Sequence, residues 1–188
     1  VMALESPQYF SYREVFLHYL NIDPHLATVD ELHQCCLSHD ITPPAGMPTQ
    51  QIDAWLDLLL THRIEPRFNP HQLTFIYDYP PSQAALARIR PEDPPLAERF
   101  EVYLNGIELA NGFHELADSK EQRQRFELDN HTREQQGLPV IPLDEHLLVA
   151  LDELPDCAGV ALGVDRLMMI AAGQSSLSGV IAFPFERA

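Results

Sequence analysis

The sequence predicts an α+β fold, an antiparallel sheet flanked by helices, with the helices gathered early and hairpin-joined strands after them. Three observations lead there. Apolar residues recur at helical spacing through the first third of the chain. From residue 74 the apolar period shortens to that of strands. Asn105-Gly106 then sits between two such runs, the strongest short signal for a two-residue hairpin turn. With 188 residues, 45% of them hydrophobic, the chain can bury one substantial core.

The elements follow in order. In SYREVFLHYL, Ser11 precedes Glu14 by three residues, and in TVDELHQCCL, Thr28 precedes Glu31 by the same step. Each pair can satisfy the free N–H groups of a helix start, so helices are expected after both. Pro43, Pro44 and Pro48 punctuate a loop. TQQIDAWLDLLLTHRI places apolar residues at 52, 55, 56, 59 and 60, a helix with one buried face. TFIYDYP, from residue 74, is a nearly continuous apolar and aromatic run, the pattern of a strand buried on both faces. RPEDPP is a proline-rich loop. A polar helix is expected over 119–136, with Asp118 as N-cap and Gly137 just past its end. AGVALGVDRLMMIAAG reads as a strand running into a helix, and GVIAFPF as a final strand. No repeat is visible, and the chain reads as one domain, mainly helical over 1–66 and sheet over 67–188.

The balance of 28 acidic against 12 basic residues gives a formal charge of −16, and the single lysine is Lys120. Unspecific grip on nucleic acid needs Lys and Arg to neutralise phosphates, so this surface argues against it. Three cysteines, two of them adjacent at Cys35 and Cys36, make neither a disulfide framework nor a metal-ligand spacing. A reducing cytoplasmic compartment is the expectation. No apolar run has the length of a membrane span. The chain opens on Val1 and runs straight into ALESPQYFSYREVF, which reads as the middle of a longer gene product.

The hairpin RFEVYLNGIELANGFHEL carries Glu101, Glu108 and Glu115 at intervals of seven. A two-residue turn sets 104 against 107, 103 against 108, 102 against 109 and 101 against 110. One face then bears Phe100, Val102, Leu104, Ile107 and Leu109, the other Glu101, Tyr103, Glu108 and Ala110. Glu101 and Glu108 become diagonal neighbours, about 7–8 Å apart at the backbone. Two readings stay open: a solvated polar face, or a pair whose mutual repulsion a divalent cation such as Mg²⁺ relieves. Gly112 permits a bend or bulge before Glu115, which is either an ordinary exposed glutamate or a carboxylate set to meet a cationic ligand group.

Arg166 falls in the first turn of the helix after the glycine-rich strand, where the helix end is already positive. A surface pair with Asp165 or another carboxylate would explain it. So would an anion shared between the arginine fork and the helix end. Met168 and Met169 read as core, and His62, His114 and His146 show no metal spacing.

GVALGVDRLMM resembles motif 3 of the class II aminoacyl-tRNA synthetases, and FEVYLNGIELANGFHEL is similar to the segment upstream of it in the lysyl-tRNA synthetases. PDCAGVALGVDR, GIELANGFHEL, YPPSQAALA and the ending VIAF…RA are similar, in order, to the lysyl-tRNA-synthetase-like ligases that attach (R)-β-lysine to a lysine of elongation factor P. The resemblance implies a class II synthetase-like sheet, truncated at the N-terminus, that activates lysine or (R)-β-lysine with ATP. It implies that Glu101 and Glu108 hold Mg²⁺ against the ATP phosphates and that Leu109 offers the nucleotide a backbone contact. Asn111, Phe113 and Glu115 would line the amino-acid pocket, with Glu115 meeting the side-chain ammonium. Gly163 would admit the adenine and ribose, and Arg166 would clamp a phosphate. Ala161 stands where lysyl-tRNA synthetases usually carry glycine, which favours the elongation-factor-P branch over a lysyl-tRNA synthetase fragment; a non-catalytic paralogue is the third reading.

The chain departs from the family in lacking motif 1 and motif 2, and EPRFNPHQ at 65–72 does not supply the latter. By resemblance it is about half an active site, inactive alone, from a parent expected to be a homodimer without direct tRNA binding.

Overall fold

The computed structural model describes residues 4–185. Strand β1 (Gln8–Ser11) leads directly into helix α1 (Tyr12–Leu20), followed by α2 (Val29–Ser38). The capping pairs act as the sequence predicts. Ser11 Oγ accepts from the Glu14 N–H at 3.1 Å while the Glu14 carboxylate accepts from the Ser11 N–H at 2.7 Å. Thr28 and Glu31 repeat the exchange at 3.3 and 2.8 Å. Helix α3 (Ile52–Leu59) continues through a π-helical turn at Leu60–Ile64 and a 3₁₀ turn at Glu65–Arg67, carrying the chain to the sheet.

Strands β2 (Leu73–Tyr79), β3 (Ile89–Arg90), β4 (Leu96–Leu104), β5 (Ile107–His114) and β6 (Ala158–Leu162) complete a six-stranded sheet ordered β1-β2-β4-β5-β6, with β3 paired to β4. Helices α4 (Ser119–Gln135) and α5 (Glu145–Leu151) lie between β5 and β6, and α6 (Val164–Ala171) follows β6. Asp118 caps α4 as expected, accepting from the Lys120 and Glu121 N–H groups, and Gly137 past its end has φ +72°.

Three expectations are corrected. The sheet is mixed, because β1 runs parallel to β2 while the other ladders are antiparallel. Gln-Tyr-Phe-Ser has too little pattern of its own to announce a strand; its partner β2 makes it one. Strand β2 is buried on one face only: Thr74, Ile76 and Tyr79 are buried while Tyr77 is exposed, with an irregularity at Asp78 (φ +58°) restoring Tyr79 to the inner side. Residues 179–185 form no strand. They lie along no ladder, Pro184 lacks a donor, and Phe183 and Phe185 are 81% and 93% exposed.

The core fills the space between the helices and one face of β2 and β4. Tyr12, Phe16, Leu32, Trp55, Leu56, Leu59, Ile76 and Tyr79 are fully buried there. Removing each such side chain from water stabilises the fold by roughly 1.5–3 kcal/mol. The Tyr12 and Tyr79 rings meet 4.8 Å apart, so the first helix is fixed directly against the strand that borders the hairpin.

Candidate active site

The β4–β5 hairpin turns at Asn105-Gly106, both at positive φ, 54° and 71°, as a type I′ turn requires. Its first two pairs, Leu104 with Ile107 and Tyr103 with Glu108, match the predicted register. Beyond them the ladder slips: Val102 faces Ala110, Glu101 faces Asn111 and Arg99 faces Phe113. The bulge falls at Leu109, not at Gly112. A one-residue slip moves every later side chain of the strand to the other face. Asn111 and Phe113 thereby join Glu101, Tyr103 and Glu108. Strand β6 adds Ala161 opposite Asn111 and Gly159 opposite Phe113.

Gly112 has a different reason from the predicted bend. A β-carbon there would lie 2.5 Å from the Phe100 ring and 2.8 Å from the Gly159 carbonyl. Gly159 is a site residue that the sequence reading missed: a β-carbon on it would run into the Glu115 carboxylate. That carboxylate borders an apolar cleft of about 340 Å³ lined in part by Leu86, Leu151, Leu154 and Cys157. The Glu115 N–H also donates to the Cys157 carbonyl at 3.0 Å, tying β5 to the segment entering β6.

Glu101 is 7% exposed, and donors surround it. Tyr79 Oη donates to Oε2 at 2.7 Å, Tyr103 Oη donates to the same oxygen, and Arg99 pairs with Oε1. Burial, together with the neighbouring carboxylate, drives both tyrosines well above their ordinary pKa, so they remain donors. Glu108 has a side chain 39% exposed on the same cleft, of about 540 Å³, which Asp57, Glu65 and Arg99 also line. Glu65 arrives from the turn after α3. Burial first, then the charges of Glu101 and Glu108, push its carboxyl up to about 7. Nothing near Glu65 in the sequence marks it; only the fold brings it to the hairpin.

Arg166 pairs not with Asp165 but with another carboxylate, as the surface-pair reading allowed. It reaches back to the hairpin, where Nη1 donates to the Glu108 carbonyl at 2.8 Å and stands 3.4 Å from the Glu108 carboxylate. The side chain is 45% exposed, and the rest of its fork has no protein partner among the described residues. Gly163 caps α6, and its N–H donates to the Leu109 carbonyl at 2.8 Å. A β-carbon at Gly163 would meet the Arg166 Cδ at 3.4 Å and the Leu109 oxygen at 3.5 Å, ordinary contacts that the protein itself tolerates.

Glu101, Glu108, Asn111, Phe113 and Ala161 thus share one sheet face, with Gly163 and Arg166 at the β6–α6 corner beside it, while Leu109 is the buried bulge residue and Glu115 lines a separate cleft. Two carboxylates on one wall suit Mg²⁺, which takes one or two protein carboxylates and completes its shell with water and phosphate. Among the described residues no group of three ligating side chains is close enough to hold an ion unaided. Of the two carboxylates the half-exposed Glu108 is the one open to the cleft, with Glu101 buried behind it.

The profile of the class II tRNA synthetases (D, K and N) matches residues 46–187, and the chain belongs to that family. It is 50% identical over 189 residues to the elongation factor P–(R)-β-lysine ligase of Salmonella typhi, an alignment taking in 100% of this chain and 58% of the relative. The chain therefore spans somewhat over half the length of the relative it matches.

Proposed function

We propose that this chain provides the amino-acid and phosphate-binding part of an AMP-forming ligase that activates lysine or (R)-β-lysine and transfers it to a lysine of elongation factor P. One observation carries the proposal: the Leu109 bulge sets Glu101, Glu108, Asn111 and Phe113 on a single face, the set that activating a cationic amino acid with ATP requires. The 50% identity to a ligase of that printed name supports the substrate class.

In the first step a carboxylate oxygen of the amino acid attacks the α-phosphorus of ATP in line. The bond to the bridging oxygen breaks, and pyrophosphate leaves. Glu115 holds the substrate's side-chain ammonium, Asn111 and Phe113 flank the reacting end, and Arg166 neutralises phosphate charge with the part of its fork not bonded to Glu108. Glu108, backed by Glu101, would hold Mg²⁺, which screens the phosphates. The carbonyl of Leu109 is already taken by Gly163, so its contact to the nucleotide falls to the N–H. In the second step the acceptor's ε-amino nitrogen attacks the acyl carbon, an amide bond forms, the bond to AMP breaks, and the amine proton is released. Positioning supplies most of the acceleration.

Three free thiols and an acidic surface fit a cytoplasmic enzyme that does not bind tRNA directly. No helix among the described residues is long and apolar enough to cross a membrane. The complete parent is proposed to be a homodimer. The test is ATP–pyrophosphate exchange by the complete gene product, with (R)-β-lysine and with lysine in parallel. Preference for (R)-β-lysine supports the ligase, preference for lysine points to a lysyl-tRNA synthetase, and exchange with neither overturns the reading.

A further inference from the structure

Arg99 was not among the residues singled out by sequence, yet its guanidinium is the most constrained cation of the site. Nη1 donates to the Gln83 carbonyl at 2.7 Å, Nη2 pairs with the Glu101 carboxylate, and Nε donates to Asn111 Oδ1 at 3.3 Å. The guanidinium also lies over the Tyr79 ring, 4.5 Å from its centroid, and the side chain is only 17% exposed. Three different segments therefore fix its plane.

A guanidinium has donors only, so the Asn111 atom facing it must be the amide oxygen. The amide NH₂ makes no hydrogen bond among the described residues and is left free to meet a ligand. With its oxygen outward, Asn111 would select a donor such as an ammonium. With its nitrogen outward it selects an acceptor. An amino acid undergoing activation presents one acceptor that has to be held still, its carboxylate.

We infer that Arg99 is a positioning residue that locks the Asn111 amide in its donor orientation, making this wall of the pocket a clamp for the substrate carboxylate. The inference rests on the function proposed above. The same guanidinium joins Asn111 to Glu101, so the amino-acid end and the phosphate end of the site share one anchor.

The test uses the complete gene product with Arg99→Lys, Asn111→Asp and the double variant. Lysine at 99 keeps the charge but cannot reach three partners at once. The readouts are amino-acid affinity by calorimetry without ATP, and separate KM values for amino acid and ATP in pyrophosphate exchange. Arg99→Lys is expected to weaken the amino acid by roughly tenfold or more, the scale of a lost hydrogen bond to a charged group, with a clearly smaller rise in the ATP KM because lysine keeps a positive charge beside Glu101. Asn111→Asp is expected to be severe alone, because an aspartate pairs with Arg99 and offers the ligand no donor. It should cost far less in the Arg99→Lys background. A lowered thermal midpoint in Arg99→Lys with no amino-acid-specific change, or additive effects in the double variant, would overturn the inference and leave the proposed function standing. Failure of the unsubstituted protein to bind either amino acid overturns both.

Discussion

The Glu115 carboxylate lies in the space that a β-carbon on Gly159 would occupy. Two neighbouring strands thus agree on one position: β6 omits a side chain so that the end of β5 can place a charge. The obstructing atom is the tip of a flexible side chain, so alanine at 159 can be accommodated by moving Glu115. Gly159→Ala should leave the fold nearly intact while raising the amino-acid KM by roughly 10–100-fold, the cost of a misplaced charge-assisted hydrogen bond. Thermal unfolding together with pyrophosphate exchange separates the two effects, and an unchanged KM would show that Glu115 does not meet the substrate.

Gly163 should behave in the same sense toward the other substrate. A β-carbon there would meet no atom of the described residues closer than 3.4 Å, so nothing among them demands glycine. Gly163→Ala is expected to keep the unfolding midpoint and to weaken ATP severalfold or more. An alanine variant with normal ATP affinity would mean that no nucleotide approaches this corner.

Ala161 stands opposite Asn111 in the β5–β6 ladder and is proposed to lie beneath the amino acid. Ala161→Gly is expected to shift the exchange ratio of (R)-β-lysine to lysine toward lysine, because removing one methyl reshapes the surface under the substrate backbone. A ratio equal to that of the parent would remove Ala161 from any role in selecting the substrate.

Tyr79→Phe deletes one of the three donors around the buried Glu101 carboxylate. The expected loss is ~1–3 kcal/mol, because a charged acceptor is left short of a partner. For a chain of this size the midpoint should fall by roughly 2–4 °C per kcal/mol, measurable by calorimetry. No change would indicate that Tyr103 and Arg99 suffice.

Glu65 gives a pH dependence whose sign follows from its raised carboxyl, about 7 against an ordinary 4.5. Between these values the folded state holds the proton and the unfolded state releases it. Its contribution is therefore fully present below about pH 4.5 and declines as pH rises toward 7. Glu65→Gln removes the ionisation and should flatten the stability profile over that window. An unaltered slope in chemical denaturation at several pH values would contradict the assignment.

Much of this was legible in the sequence because it is local. Ser11, Thr28 and Asp118 announce their helices through groups within three residues, and Asn105-Gly106 names its turn by the φ values that only such residues adopt readily. The Leu109 bulge was not legible. A bulge at glycine would have left a mark, whereas leucine in a slightly bent strand looks like any strand leucine. The donors around Glu101 come from β2 and β4 together, and Glu65 from the end of α3; long-range packing alone brings them together. Arg99 could have been found, since strand alternation places it on the face of Glu101 two residues away.

The bulge also alters how the hairpin would tolerate change. Along β5 the even position 108 faces the cleft before the bulge, and the odd positions 111 and 113 face it afterwards. A library of polar substitutions scanned along residues 107–115 should therefore show its pattern of intolerance slipping by one position at Leu109. Such a map would locate the bulge from growth or binding counts alone, without a structure.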